Sequence, residues 1–336
     1  MQKSRFSRIF SMATILACVM GLASATAQAQ QLNVATGSKT GTYNSMFEDI
    51  KKFCGNELLM NGRVTTGGVQ NLELLTGNKV QAIFGQSDMM YRRSRGNTDL
   101  ADVKTLLAMH PEQLHFIVRS APIKEGGYGA MGIKVMGTEV TLTEVAQLKG
   151  RKIAAWGGSV ETAKQVRLDS EIAYDIIQVQ NFGEAKKALD AQQVDAILMV
   201  GGAPMADIAG DEEKKIPALS AAYRLLAVGP ATVAKLKDSY PRTDNLTYGN
   251  LNAQSVPTVS VEALFVTREY KTAAATAALS SLRNCVITKL DDIKEAEGTH
   301  PAWRRVSATN KGSWPYYNLP TAAATPAVAP AQPKKK

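Results

Sequence analysis

Short apolar strands alternate with helices along this chain, and nearly every strand runs into a glycine- or hydroxyl-rich loop. Leu32–Ala35 reads as a strand that ends in Gly37-Ser38-Lys39-Thr40-Gly41. Met46, Phe47, Ile50 and Phe53 then recur at helical spacing from Tyr43 onward. Val64–Thr66 is predicted as a strand and Gly67-Gly68 as a turn. Leu72, Leu74 and Leu75 mark a helix that stops near Gly77. Val80–Phe84 is a third strand, and Gln86-Ser87-Asp88 opens the next helix. Such alternation excludes an all-helical or all-β fold and predicts an α/β protein with a parallel sheet.

The second half repeats the theme. Arg151–Trp156 is predicted as a strand, with Gly157-Gly158-Ser159 opening a helix through Val166. Ile176–Val179 follows as a strand, Gly183–Gln192 as a helix, and Val194–Val200 as a strand that runs into Gly201-Gly202-Ala203-Pro204. Leu114–Val118 and Val259–Val266 lack a helix partner, as extended crossings between two lobes would. The predicted lobes are residues 30–118 with 259–300, and residues 119–258. An extension covers 301–320, and a disordered Ala/Pro/Thr tail covers 321–336.

Compartment is read from the amino terminus. Lys3, Arg5 and Arg8 precede the apolar run Ile9–Ala25, and Ala27-Gln28-Ala29 supplies a small-x-small cleavage pattern. These are the parts of a secretory signal peptide over residues 1–29, so export to the periplasm is expected. The formal charge of +9 is concentrated in that segment and in Lys334–Lys336, which leaves about +3 for the rest. A nucleic-acid footprint needs its cations clustered on one face, so nucleic acid is not expected as a partner. Cys54 and Cys285 remain after cleavage. They are open to two readings, one disulfide in an oxidising compartment or two buried thiols.

In open parallel sheets, ligands sit beyond the carboxyl ends of the strands, where helix N-termini offer unpaired N–H groups to anions. The candidate loops are Gly37–Thr42, Gly67–Asn71, Gln86–Asp88, Gly157–Thr162 and Gly201–Pro204. Enzyme signatures are absent from the motifs: there is no phosphate loop, no G-x-G-x-x-G and no nucleophile elbow around Ser159. His110, His115 and His300 read as structural or surface histidines. Asp88 and Asp195 read as lone carboxylates, and Asp207, Asp211, Glu212 and Glu213 as a solvated helix end. No catalytic residue, cofactor or metal is expected.

The succession Gly37-x-x-x-Gly41-Thr-Tyr43, Thr66-Gly67-Gly68-Val-Gln-Asn71, Gln86-Ser87-Asp88, Gly157–Thr162 and Val194-Asp195-Ala196…Gly201-Gly202-Ala203-Pro204 resembles the TAXI solute-binding proteins. These are the extracytoplasmic receptors of one class of TRAP transporter. The match runs from about Leu32 to about Pro301. It implies a two-lobed periplasmic-binding-protein fold, hinge strands and a central cleft for a small organic anion, a carboxylate or an amino acid such as glutamate. Membrane subunits of a transporter would be its partners, and the receptor would be a monomer. Carried over by position, Gly37, Ser38, Lys39, Thr40, Gly41, Tyr43, Asn71, Gln86, Ser87 and Asp88 would line one wall. Gly157, Gly158, Ser159, Thr162, Gly201, Gly202 and Pro204 would line the other. Hydroxyls of Ser38, Thr40 and Ser159 are expected to assist backbone N–H groups. Three departures stand out: Val69 replaces a serine, Val160-Glu161 interrupts the second-lobe loop, and Lys311–Tyr317 replaces a His-Pro-Gly-Ala run. An exported sensor-input or interaction module with the same fold is the alternative reading.

Overall fold

The computed structural model describes residues 31–56, 58–95, 100–128 and 134–318. The expected signal peptide, 1–29, and tail, 321–336, lie outside them. No helix among the described residues is long and apolar enough to cross a membrane.

The first half of the chain runs β1 (Leu32–Gly37), α1 (Thr42–Cys54), β2 (Met60–Val64), α2 (Gly68–Thr76), β3 (Ala82–Gln86), α3 (Ser87–Ser94) and the long β4 (Val103–Arg119). A hairpin of β5 (Ile123–Tyr128) and β6 (Lys134–Val140) forms a separate sheet. Then come β7 (Lys152–Ala155), α4 (Gly158–Ser170), β8 (Asp175–Gln178), α5 (Phe182–Asp190), β9 (Ala196–Gly201), α6 (Ala206–Ala209), β10 (Tyr223–Leu225) and α7 (Pro230–Leu236). The chain closes with β11 (Arg242–Tyr248), the long β12 (Ala253–Arg268), α8 (Ala273–Thr288) and α9 (Leu290–Glu295).

Eight strands of the main sheet lie in the order β2-β1-β3-β12-β4-β9-β7-β8, with β10 on β4 and β11 on β12. The trios β2-β1-β3 and β9-β7-β8 are each parallel, and each has its first strand in the middle. Antiparallel β12 and β4 join them. The two-residue period of a strand sends neighbours to opposite faces, and the cores divide accordingly. Val34, Phe84 and Met109 pack with α1 and α8, whereas Ala35, Ile83 and Ala108 pack with α2 and α3. In the second trio, Ile153, Ala155 and Leu198 pack with α4 and α7, whereas Ala154 and Ile197 pack with α5 and α6. Each trio is therefore sandwiched between helices, which makes two lobes. On β4, Met109 belongs to a first-lobe core and Leu114 to a second-lobe core. On β12, Ala263 and Val261 mark the same change.

Two strand readings are corrected. The predicted Leu114–Val118 strand is the carboxyl-terminal part of an element 17 residues long, and the predicted Val259–Val266 strand is the middle of one 16 residues long. The first contains Pro111, which cannot donate to a ladder. Here the register slips between Glu262 and Leu264, opposite Pro111, and the strand continues through the irregularity. The predicted Val64–Thr66 strand instead covers Met60–Val64. Thr65, just past the strand, still donates its N–H to the Gly37 carbonyl at 2.9 Å, and its hydroxyl donates to Asn71 Oδ1.

After β12 the chain returns to the first lobe, where Trp303 and Tyr317 join the core beneath α1 and α8. Buried Asp49 accepts from the His300 N–H at 2.9 Å and Trp303 Nε1 at 2.8 Å, fastening this segment. Cys54 and Cys285 are disulfide-bonded, with Cα atoms 6.0 Å apart.

Candidate functional site

The carboxyl ends of β1, β2, β7 and β9 meet across a cavity of about 80 Å3 between the lobes. Three helices begin at it, α1, α2 and α4. Glycine precedes each (Gly41, Gly67, Gly157), and no side chain caps any of them. Helix starts carry the positive end of the dipole, so three of them bring partial positive charge to one small volume, although at α4 the Ser159 and Val160 N–H groups already donate to the Trp156 and Gly157 carbonyls. Ser159 adds a hydroxyl, fixed by accepting from the Val200 N–H at 3.2 Å. Trp156, Met199, Val200 and Met205 supply apolar wall.

Two acidic side chains share the cavity with these donors. Glu112, from the middle of β4, is 2 % exposed and lines the cavity. It accepts from the Tyr43 hydroxyl at 2.6 Å, and Tyr43 stacks on Phe84 with ring centroids 5.3 Å apart. Burial pushes the Glu112 carboxyl up to about 8. Asp207 lines the second-lobe side, accepts from Thr40 Oγ1 at 3.3 Å, and is likewise raised by burial. Behind Glu112 lies His110, wholly buried, with Nε2 4.0 Å from Oε1 and neither ring nitrogen hydrogen-bonded among the described residues. Desolvation pushes it down to about 3.

The lobes are shut on each other. Thr42 Oγ1 donates to the Gly202 carbonyl at 3.1 Å, and Lys214 Nζ donates to Ser45 Oγ at 2.9 Å. Asp88 accepts from Thr162 Oγ1 at 2.8 Å and from Tyr240 at 3.3 Å. Arg92 reaches Glu161 at 2.7 Å and Gln165 at 3.2 Å. Backbone meets backbone at Gly157, whose φ of +52° favours glycine and where a Cβ would collide with the Thr66 carbonyl.

Residues 34–276 match the NMT1-like family. The chain belongs to the NMT1-like family. No curated protein matches it. Similar solved structures include one from Bordetella bronchiseptica RB50, at 16% identity over 82% of this chain and 76% of that one, TM-score 0.46. Another is the substrate-binding protein of an amino acid ABC transporter, at 10% identity over 79% and 95%, TM-score 0.45. A third is an arginine transport-system periplasmic binding protein from Legionella pneumophila, at 11% identity over 79% and 95%, TM-score 0.48.

In this NMT1-like chain, the residues expected at the site divide into two groups. Gly37, Ser38, Gly41, Tyr43, Gln86, Gly158, Ser159 and Gly201 line the cavity. The others do not. Lys39 is exposed, and its carbonyl accepts from Asn44. Thr40, Asp88, Gly157, Thr162 and Gly202 make contacts between the lobes. Asn71 donates to the Phe84 carbonyl, Ser87 accepts from the Glu262 N–H, and Pro204 follows Gly202 outside the lining. One sequence reading is corrected: Asp207 is a cavity residue, whereas Glu212 and Glu213 of the same cluster are exposed, as expected. Glu112, Trp156, Met199 and Met205 were missed altogether. Among the described residues, no group of three or more His, Cys, Asp or Glu could hold a metal.

His115 positions the second-lobe wall. Its Nε2 lies 3.0 Å from the Tyr248 hydroxyl, which accepts from the Met205 N–H at 2.9 Å. Burial pushes the imidazole down to about 4. The unfolded ring protonates near 6.5. The stability it contributes is therefore present above that pH and lost as pH falls toward 4. The melting-temperature gap between wild type and His115→Gln should narrow as pH is lowered from 7 to 5. A constant gap would show that the ring does not titrate this way.

Proposed function

We propose that this protein is an exported solute receptor whose lobes close on a small amino acid, for delivery to the membrane subunits of a TRAP-type transporter. The observation that carries the ligand reading is that one cavity holds groups of both polarities: three helix starts without side-chain caps, and the carboxyl groups of Glu112 and Asp207. A carboxylate suits the first and an ammonium the second. With no basic side chain in the lining, the helix starts and the hydroxyls of Ser38 and Ser159 must hold the anion. The volume, well below the roughly 300 Å3 of drug-sized sites, suits a compact solute. The first lobe runs to the middle of β4 and resumes in the middle of β12, and these strands serve as the hinge. The transporter part of this reading is supported by the TAXI-like motifs, and export by the basic, apolar and small-x-small amino terminus.

The test is calorimetry with individual L-amino acids and with the matching carboxylates that lack the amino group. Amino acids should bind and the matching acids should bind far less. Asp207→Asn should weaken the amino acid by about 1.5–3 kcal/mol, the worth of a hydrogen bond to a charged group, or roughly 10- to 150-fold. At neutral pH Glu112 is protonated in the empty cavity, so binding an ammonium beside it should release a proton, read as a dependence of binding heat on buffer. Equal affinity for the acids without an amino group would overturn the amino-acid reading.

A further inference from the structure

A second cavity, of about 590 Å3, shares no lining residue with the cleft. One wall is α3, through Tyr91 and Arg92, with Arg95 just past its end. The other is Gln165 of α4 with Asp238 and Arg242. Ser260, Val261 and Glu262 of β12 lie between, and Lys311 completes the lining from the carboxyl-terminal segment.

The charges in it are unequally committed. Asp88 is held by Thr162 and Tyr240. Glu262 accepts from Asn310 at 2.9 Å and from the Ser313 N–H at 3.2 Å, with Arg242 3.6 Å away. Arg92 is spent on Glu161. Arg95 and Lys311, both exposed, make no ion pair among the described residues, and the exposed acid beside them is Asp238. Ser260 is 1 % exposed, and its hydroxyl has no hydrogen-bond partner among the described residues. A buried hydroxyl without a partner costs free energy that a bound acceptor would recover.

We propose that this cavity is a second binding site, for a small molecule rich in oxyanion oxygens, and that its occupancy favours the closed lobes. Arg95, Arg242 and Lys311 meet the anion, and Ser260 donates from the floor. Closure enters because the walls belong to different lobes and meet through Arg92 and Gln165. Opening the cleft pulls those walls apart. A ligand that binds the closed form better shifts the population toward it.

Calorimetry with citrate, and separately with inorganic phosphate, on the purified chain without any cleft solute tests the proposal and distinguishes a polycarboxylate from a phosphate ester. One of the two should bind at one site per chain. Binding should weaken at least tenfold in Arg95→Ala/Lys311→Ala and severalfold in Ser260→Ala, with thermal melts confirming that both variants fold. Gly157→Ala, which holds the lobes apart, should weaken the same probe severalfold. Absence of binding by both probes, or binding that the double variant leaves unchanged, overturns the site. Binding that responds to the double variant but not to Gly157→Ala overturns the coupling to closure. Neither readout uses the cleft solute, so failure of the amino-acid reading would leave these results intact.

Discussion

Gly157→Ala should abolish solute capture while leaving the fold intact. The residue lies at the start of α4 in the second lobe, and the atoms that a Cβ would meet are Thr66 O, Thr66 C and Gly67 Cα, all of the first lobe. Both sides of the collision are backbone, so no rotamer relieves it. The cores of the two lobes are untouched, and the cost to folding is the backbone strain of a φ of +52° with a ψ of −132°, roughly 1–3 kcal/mol. Closure carries the rest. Apparent affinity scales with the fraction of the chain able to close, so binding should fall by at least 100-fold. Gly150→Ala is the control: its φ is +76° but nothing lies within 4 Å of the added Cβ. It should cost stability through its positive φ but no affinity. Near-wild-type binding by Gly157→Ala would mean that the solute is held in some arrangement other than this closed one.

The fold was readable because its signal is periodic. Met46, Phe47 and Ile50 recur at helical spacing and are all fully buried. Glycine-rich loops stand where parallel strands end, and three of those loops supply the uncapped helix starts. The acidic half of the cavity was not readable in this way. Glu112 follows Pro111, and a proline beside a charge reads as a turn until pairing shows an irregular ladder passing straight through. An acid flanked by the apolar runs Leu106–Met109 and Leu114–Val118 was the available signal, since charged side chains are rarely buried without a purpose. Asp207 was hidden by its neighbours. Within a run of four acids it looked solvated, and only the fold turns it toward Thr40 while Asp211 stays at the surface with Lys214. Local pattern carries which element a residue occupies. Which of two similar acids faces the cleft depends on how the lobes close.

Removing the disulfide should have the largest effect on stability. Cys54 ends α1, Cys285 lies in α8, and the bond spans 231 residues of sequence. Closing so long a loop restricts the unfolded chain, and in the chain-entropy view the bond is worth about 5 kcal/mol. For a chain of this size that corresponds to a melting temperature lower by roughly 10 °C. Cys54→Ala/Cys285→Ala and chemically reduced wild type should agree, apart from the small volume lost in the variant. Both cysteines belong to one first-lobe core, together with Met46, Ile50 and Leu282. The bond does not cross the cleft, and α1 meets the cavity at its other end, where Thr42 and Tyr43 line it. Solute affinity measured well below the melting transition should therefore change less than threefold. A melting temperature that barely moves would show that packing around Trp303 already holds α1 to α8. A large loss of affinity in a chain that is still folded would show that the bond sets the orientation of α1, and with it the helix start that faces the solute.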